Sequence, residues 1–84
     1  MSPMELRHLG RDVKTALELG IVGLCPTELV DRLAAASGLI DAIAELPLES
    51  PAVGAMIPAV SARAYRALDD WNQWRDEHLR QISA

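Results

Sequence analysis

Few side chains in this 84-residue sequence have the type and spacing that catalysis or metal binding requires. The two histidines, His8 and His78, fall near opposite ends of the chain, which we expect at opposite poles of a helical bundle. Cys25 is the only cysteine, so an internal disulfide framework and a cysteine-based zinc site are excluded. Its place at a predicted helix start leaves two interpretations open, an inert structural thiol and a reactive thiol of lowered pKa.

Two acidic pairs resemble the carboxylates of a general acid–base site. Asp69–Asp70 and Asp76–Glu77 fall on the outer face of a predicted helix. Arg66 lies one turn before Asp70 and Arg80 one turn after Asp76, and this i,i+4 alternation is typical of a solvated surface. The sequence has no glycine-rich phosphate loop, no His-x-x-x-His pair and no Gly-x-Ser-x-Gly elbow. We therefore predict that the chain is not an enzyme and has no cofactor or metal site.

Composition argues against two kinds of partner. The net charge is −4 and the basic residues form no dense tract, so we expect no nucleic-acid partner, because phosphate neutralisation dominates such binding. The longest apolar run, 20–26, is too short to cross a bilayer, and the charged N-terminus lacks the apolar segment of a signal peptide. We expect a cytoplasmic protein with no membrane partner. The excess of arginine over lysine, with many alanines and leucines, suggests a GC-rich bacterial genome.

Three segments that open on a proline carry apolar stripes at helical spacing. They predict one all-α domain over 1–84, a compact helical bundle that is either a whole small protein or the N-terminal module of a longer one. The first helix should run from Pro3 to about Leu19, with Gly20 and Gly23 at its end and a capping box formed by Ser2 and Glu5. The stripes consist of Leu6, Leu9, Val13, Leu17, Gly20 or Ile21 and Leu24; of Leu29, Leu33, Ala36, Ile40 and Ile43; and of residues from Val53 to Ile82.

Two residues inside the later segments predict breaks. Either one helix runs over 27–46 with Gly38 at a cost of about 1 kcal/mol relative to alanine, or two short helices meet there, and we favour the break. Pro58 removes a backbone donor and clashes with the preceding turn, so we expect a short helix over 51–57 and a long one to about 81. The three long segments then become four or five helices.

The last segment carries both tryptophans. Trp71 lies in the middle of its stripe and is predicted to be core. Trp74 lies at the edge, as a rim residue of the core or as an anchor of a protein interface, where tryptophan is enriched. This helix should overrun the shorter ones and expose an apolar tip, Leu79 and Ile82, that requires a partner or a following domain.

Charge is unevenly distributed along the chain. Arg7, Arg11 and Lys14 form a basic flank beside the first stripe, whereas Asp41 and Glu45 form an acidic flank on the second segment. These flanks are either ordinary surface variation or complementary docking patches. Because they belong to different elements, we expect a contact between copies to be head to tail, closing into a ring or continuing as a filament.

The stretch Glu28–Leu46, ELVDRLAAASGLIDAIAEL, resembles the middle of caspase-recruitment and other death-fold domains. Its leucine-rich helix, its small-residue turn and its second acidic and apolar helix carry the likeness. Bacterial members, the effector-associated or death-like adaptor domains, precede proteases, nucleases or pore-forming proteins and recruit them by homotypic contact. The resemblance implies a bundle of five or six helices that assembles through opposite charged faces.

These observations predict a protein–protein interaction module of the adaptor or recruitment type in a bacterial defence or signalling system. Its partner would be another copy of the chain or an effector protein. The alternative is a small helical antitoxin, inhibitor or regulator that binds a different partner. The predicted interface residues are Arg7, Arg11, Lys14, Asp41, Glu45, Trp74 and Leu79.

Overall fold

A computed structural model describes residues 3–23, 25–47 and 49–83, with side chains for 4–23, 25–47 and 49–80. These residues form three α-helices, α1 (Pro3–Val22), α2 (Thr27–Ala44) and α3 (Pro51–Ser83), and no strand. The all-α prediction is therefore confirmed for the described part of the chain. The predicted capping box depends on Ser2, and one position of the first stripe is Leu24; both lie outside the described residues, as does the side chain of Ile82.

The prediction of four or five helices is wrong, because α2 and α3 are each continuous. In α2, Gly38 is exposed, and a Cβ added there would meet no atom within 4 Å. The glycine therefore costs only its propensity, about 1 kcal/mol relative to alanine. Buried Ala36 and Ile40 lie on either side of it, and burial of an isoleucine is worth about 1.5–3 kcal/mol. Packing thus outweighs the local preference for a break.

In α3, Pro58 is also accommodated inside the helix. It lies on the exposed side, while Val53 and Val60 are both buried in the core. An interior proline costs about 3 kcal/mol, and burying two valines contributes a similar amount. The helix therefore continues through the proline because both of its halves must present their apolar side to α1 and α2.

The three helices pack pairwise around one core, in an up-down-up arrangement. Trp71 is 5% exposed, which confirms its predicted place in the core. Trp74 is half-buried and packs against the same cluster, as expected of a rim residue. The most completely buried large side chains are Val13, Leu33, Ile43 and Val53.

Two glycines bring the end of α1 close to the tryptophans. A Cβ on Gly20 would lie 2.8 Å from Cys25 Sγ and 3.4 Å from the Trp71 ring, and one on Gly23 would lie 3.6 Å from the Trp74 ring. Gly20 therefore does not end α1, which continues to Val22. It takes the inward position of the stripe, and Ile21 is 57% exposed.

Unequal helix lengths determine the shape of the molecule. α3 has 33 residues, compared with 20 in α1 and 18 in α2. At about 1.5 Å per residue α3 is about 50 Å long, and the molecule measures 51 × 18 × 16 Å. Residues 75–80, after the last contacts with α1, are all exposed, which confirms that α3 overruns its neighbours.

Candidate protein-interaction surfaces

The projecting end of α3, residues 75–83, begins where a stack of rings leaves the core. The Trp71 and Trp74 rings lie 5.5 Å apart, and the Trp74 and His78 rings lie 4.9 Å apart at an interplanar angle of 9°. The His78 ring therefore lies flat on the Trp74 ring. Leu79 follows and is 52% exposed, so the predicted apolar tip is open at that residue. The stack of three rings links the first turn of the projecting end to the core. The exposed Leu79 follows directly after it in the chain.

The end of α1 adds apolar surface that the sequence prediction missed. Leu19 is 53% exposed and Val22 is 82% exposed. They lie at the end of the bundle where Gly23 packs on Trp74, so we call Leu19, Val22, Trp74 and Leu79 the apolar pole. The signal for these residues was present in the sequence, because Leu19 and Val22 are large apolar residues that do not fit the stripe of α1.

The predicted basic and acidic flanks meet on one face of the molecule. Lys14 Nζ lies 3.0 Å from Asp41 Oδ1, and both side chains remain more than half exposed. Arg7 and Arg11 line the same shallow groove between α1 and α2 as this pair. The two flanks, although they belong to different helices, therefore adjoin one another.

Close packing of α1 on α2 explains this meeting. A Cβ on Gly10 would lie 3.0 Å from Ile40 Cγ2, so the two helices approach closely between the flanks. Asp41, the next residue after Ile40, is thereby brought to the α1 side of its helix. Glu45, four residues later, is exposed at the C-cap of α2. We call Arg7, Arg11, Lys14, Asp41 and Glu45 the charged face.

Two carboxylates on α3 form ion pairs with residues other than the i,i+4 neighbours that the sequence indicated. Asp70 Oδ2 accepts a hydrogen bond at 2.6 Å from Nη1 of Arg32, which lies on α2. The spacing along α3 had indicated Arg66 as the partner of Asp70. Asp76 lies 3.6 Å from its neighbour Arg75. Arg32, Arg63 and Arg66 line a second groove, between α2 and α3.

Cys25 is buried in the connection between α1 and α2, at 8% exposure. Burial raises the pKa of its thiol, and its Sγ donates weakly to the Pro26 carbonyl oxygen at 3.8 Å. A raised pKa is the opposite of what activates a cysteine nucleophile. Of the two interpretations left open by the sequence, the structure therefore favours the inert thiol.

Within residues 3–23, 25–47 and 49–83, no three His, Cys, Asp or Glu side chains are placed to hold a metal ion. His8 is exposed near the start of α1 and His78 near the end of α3, at opposite ends of the bundle. The same ranges contain no helix with the length and apolar character needed to cross a membrane.

Comparison with protein-family models, with curated proteins and with solved structures finds no match to this chain.

Proposed function

We propose that this chain is a protein–protein interaction module of the adaptor or recruitment type and that it is not an enzyme. The observation that carries the proposal is the apolar pole at the projecting end of α3. Its four side chains leave large apolar area uncovered at one end of a small bundle. Exposed apolar side chains grouped at one end of a bundle are a candidate binding surface.

Trp74 is the expected anchor of this interaction. Tryptophans at the centre of an interface often dominate its binding energy, especially when part of the ring is already fixed by the core. Trp74 is held between Trp71 and His78 in the ring stack, so it loses little side-chain freedom when a partner covers it. Leu79 and Val22, which are 52% and 82% exposed, supply further apolar area at this end of the bundle.

The charged face is the second surface of the proposal, and we assign it to association between copies of the chain. Because Lys14 and Asp41 lie side by side, the face carries both signs of charge. Two copies related by a two-fold axis can then place Arg11 of each near Glu45 of the other. Such an isologous contact closes as a dimer and replaces the ring or filament expected from the sequence.

Recruitment and inhibition use the same pole and differ in the partner. The resemblance to effector-associated domains favours recruitment of an effector in a bacterial defence or signalling system. If the partner is a toxin or enzyme that loses its activity when this chain binds it, the alternative function, that of an antitoxin or inhibitor, is favoured.

Site-specific photocrosslinking tests the proposal. A photoreactive amino acid replaces Leu79 in the full chain, expressed in cells of its own organism. The matched control carries the same amino acid at Gln73, which is exposed on α3 outside the apolar pole. We expect a discrete protein adduct from position 79 and none from position 73, and mass spectrometry of that adduct identifies the partner. Equal adducts at both positions, or none at either, would contradict an interface at the pole.

A further inference from the structure

The groove between α2 and α3 combines an apolar floor with a rim of arginines. It encloses about 320 Å³ next to α2. Its second part, of about 220 Å³, continues along α3 and shares Leu39 and Arg63 with the first. We call the whole the α2–α3 groove; its lining residues are Arg32, Ala35, Ala36, Leu39, Met56, Ala59, Val60, Arg63, Arg66 and Ala67.

The floor of the α2–α3 groove suits the close approach of another helix. Four of its lining residues are alanines, and their small side chains leave room for a helix from outside the chain to lie between α2 and α3. Met56 is 39% exposed and Leu39 is half-buried, so one end offers flexible apolar side chains that adapt to a partner. From Met56 to Ala67 the groove is about 17 Å long, close to three turns of helix.

The charge of the rim is not balanced within the chain. Arg32 is paired with Asp70 at 2.6 Å. Arg63 and Arg66 form no ion pair with the residues that the structure describes, although the chain as a whole has a net charge of −4. Two exposed guanidinium groups beside an apolar floor are complementary to carboxylates carried on an apolar helix face.

We propose that the α2–α3 groove binds an acidic amphipathic helix of a partner protein. About three turns of that helix would lie on the alanine floor, with its apolar residues at i, i+3, i+4 and i+7. Glutamates or aspartates on its flank would accept hydrogen bonds from Arg63 and Arg66. This site is separate from the apolar pole, so the proposal does not depend on the partner of the pole.

A protein helix fits this groove better than nucleic acid does. Two unpaired arginines neutralise few phosphates, whereas the contact with Asp70 already occupies the third. The alanines also give the floor no side chain on which a base could stack. An apolar face with a few carboxylates matches both parts of the groove.

Two synthetic peptides provide the probes, titrated against the full chain by fluorescence anisotropy. The acidic peptide has about 14 residues, roughly 21 Å as a helix, with leucines along one face and glutamates beside them. The control peptide has lysine in place of every glutamate. We expect the acidic peptide to bind and the lysine peptide to bind at least about tenfold more weakly. Equal binding of the two, or no binding of the acidic peptide up to about 1 mM, would overturn the proposal.

Paired variants locate the binding. Arg63→Glu with Arg66→Glu should weaken binding about tenfold or more. Arg75→Glu with Arg80→Glu, both exposed on the projecting end of α3, makes the same change in net charge and should alter binding less than about twofold. Ala59→Trp should block the floor, and Ala62→Trp, exposed on α3 outside the groove, should not. Far-UV circular dichroism checks that each variant is folded. If both groove variants bind normally, or if phosphatidylserine vesicles or single-stranded DNA bind more tightly than the acidic peptide, the assignment is wrong.

Discussion

Trp71 and Trp74 stand three residues apart on α3 and have different environments. Trp71 is 5% exposed in the middle of the core, and Trp74 is half-buried where the core meets the apolar pole. A buried ring contributes mainly to folding, whereas a half-buried ring keeps area that a partner can cover. Substitution of Trp71 should therefore affect mainly the stability of the bundle, and substitution of Trp74 should affect mainly the proposed binding at the apolar pole.

Replacing each tryptophan by alanine tests this separation. Trp71→Ala should lower the free energy of unfolding by about 3–5 kcal/mol, which is enough to unfold a small domain. Trp74→Ala should cost less, on the order of 1–2 kcal/mol, and should remove the photocrosslink from position 79. Thermal unfolding followed by circular dichroism measures the first effect. Identical melting temperatures and unchanged crosslinking in the two variants would contradict the assignment of core and rim.

Gly20 and Gly38 are both helical glycines, and their surroundings predict opposite effects of substitution. A Cβ on Gly20 would lie 2.8 Å from Cys25 Sγ, so Gly20→Ala should overpack the core and destabilise it by about 1–3 kcal/mol. A Cβ on Gly38 would meet open space, so Gly38→Ala should stabilise α2 by up to about 1 kcal/mol. For a domain of this size 1 kcal/mol shifts the melting temperature by about 4–8 °C. Shifts of the same sign in the two variants would be inconsistent with these environments.

At the scale of the element, α3 has two parts with different roles. Its first two thirds bury Val53, Val60 and Trp71 against α1 and α2. Its projecting end buries nothing along 75–80 and extends the helix by about 13 Å. The packed part of α3 therefore serves as the base from which Leu79 extends beyond the bundle.

Pro58 lies in the folded part of α3, and its replacement tests how much strain the packing tolerates. Pro58→Ala restores a backbone donor and removes a clash that together cost about 3 kcal/mol in an exposed helix interior. Part of this gain is offset because proline also restricts the unfolded chain, by about 0.4–1 kcal/mol. We expect a net rise in the free energy of unfolding, measured by urea denaturation. The matched control, Ala62→Gly on the same exposed side, should lower it by about 1 kcal/mol. A fall in stability on Pro58→Ala would mean that the helix depends on its proline.

At the scale of the whole molecule, the three helices produce three distinct surfaces. The apolar pole is formed by α1 with α3, the charged face by α1 with α2, and the arginine-rimmed groove by α2 with α3. Each surface belongs to a different pair of helices, and no residue is shared between them, so the residues of one can be substituted without changing those of another. This separation allows an adaptor to contact more than one protein, and it allows each contact to be tested alone.

The proposed two-fold contact through the charged face predicts how copies associate. Wild type should show a monomer–dimer equilibrium at low salt that weakens as salt rises, because exposed charges are screened over about 8–10 Å near physiological ionic strength. Arg11→Glu and Glu45→Arg should each abolish the dimer, and an equimolar mixture of the two variants should restore it. Light scattering measures the mass at each salt concentration. A wild type that stays monomeric at high concentration and low salt, or assemblies larger than a dimer, would rule out this contact.

Much of the fold could be predicted because it depends on local periodicity. Apolar residues three and four apart place one side of each helix in the core, so the all-α class and the burial of Trp71 follow from the order of residues along the chain. The overrun of α3 follows from its length. The exposure of Leu79 agrees with that length, because the other two described helices have only 20 and 18 residues. These properties require no knowledge of how the helices are placed relative to one another.

Tertiary structure decided the features that depend on contacts between helices. Gly38 and Pro58 do not interrupt their helices, because burial on both sides outweighs a local preference of about 1–3 kcal/mol. Asp70 contacts Arg32 of α2, and Lys14 meets Asp41, because such pairs depend on the rotation of each helix about its axis. That rotation is set by the packing of the core, including the close approach at Gly10, and spacing along one segment contains no information about it.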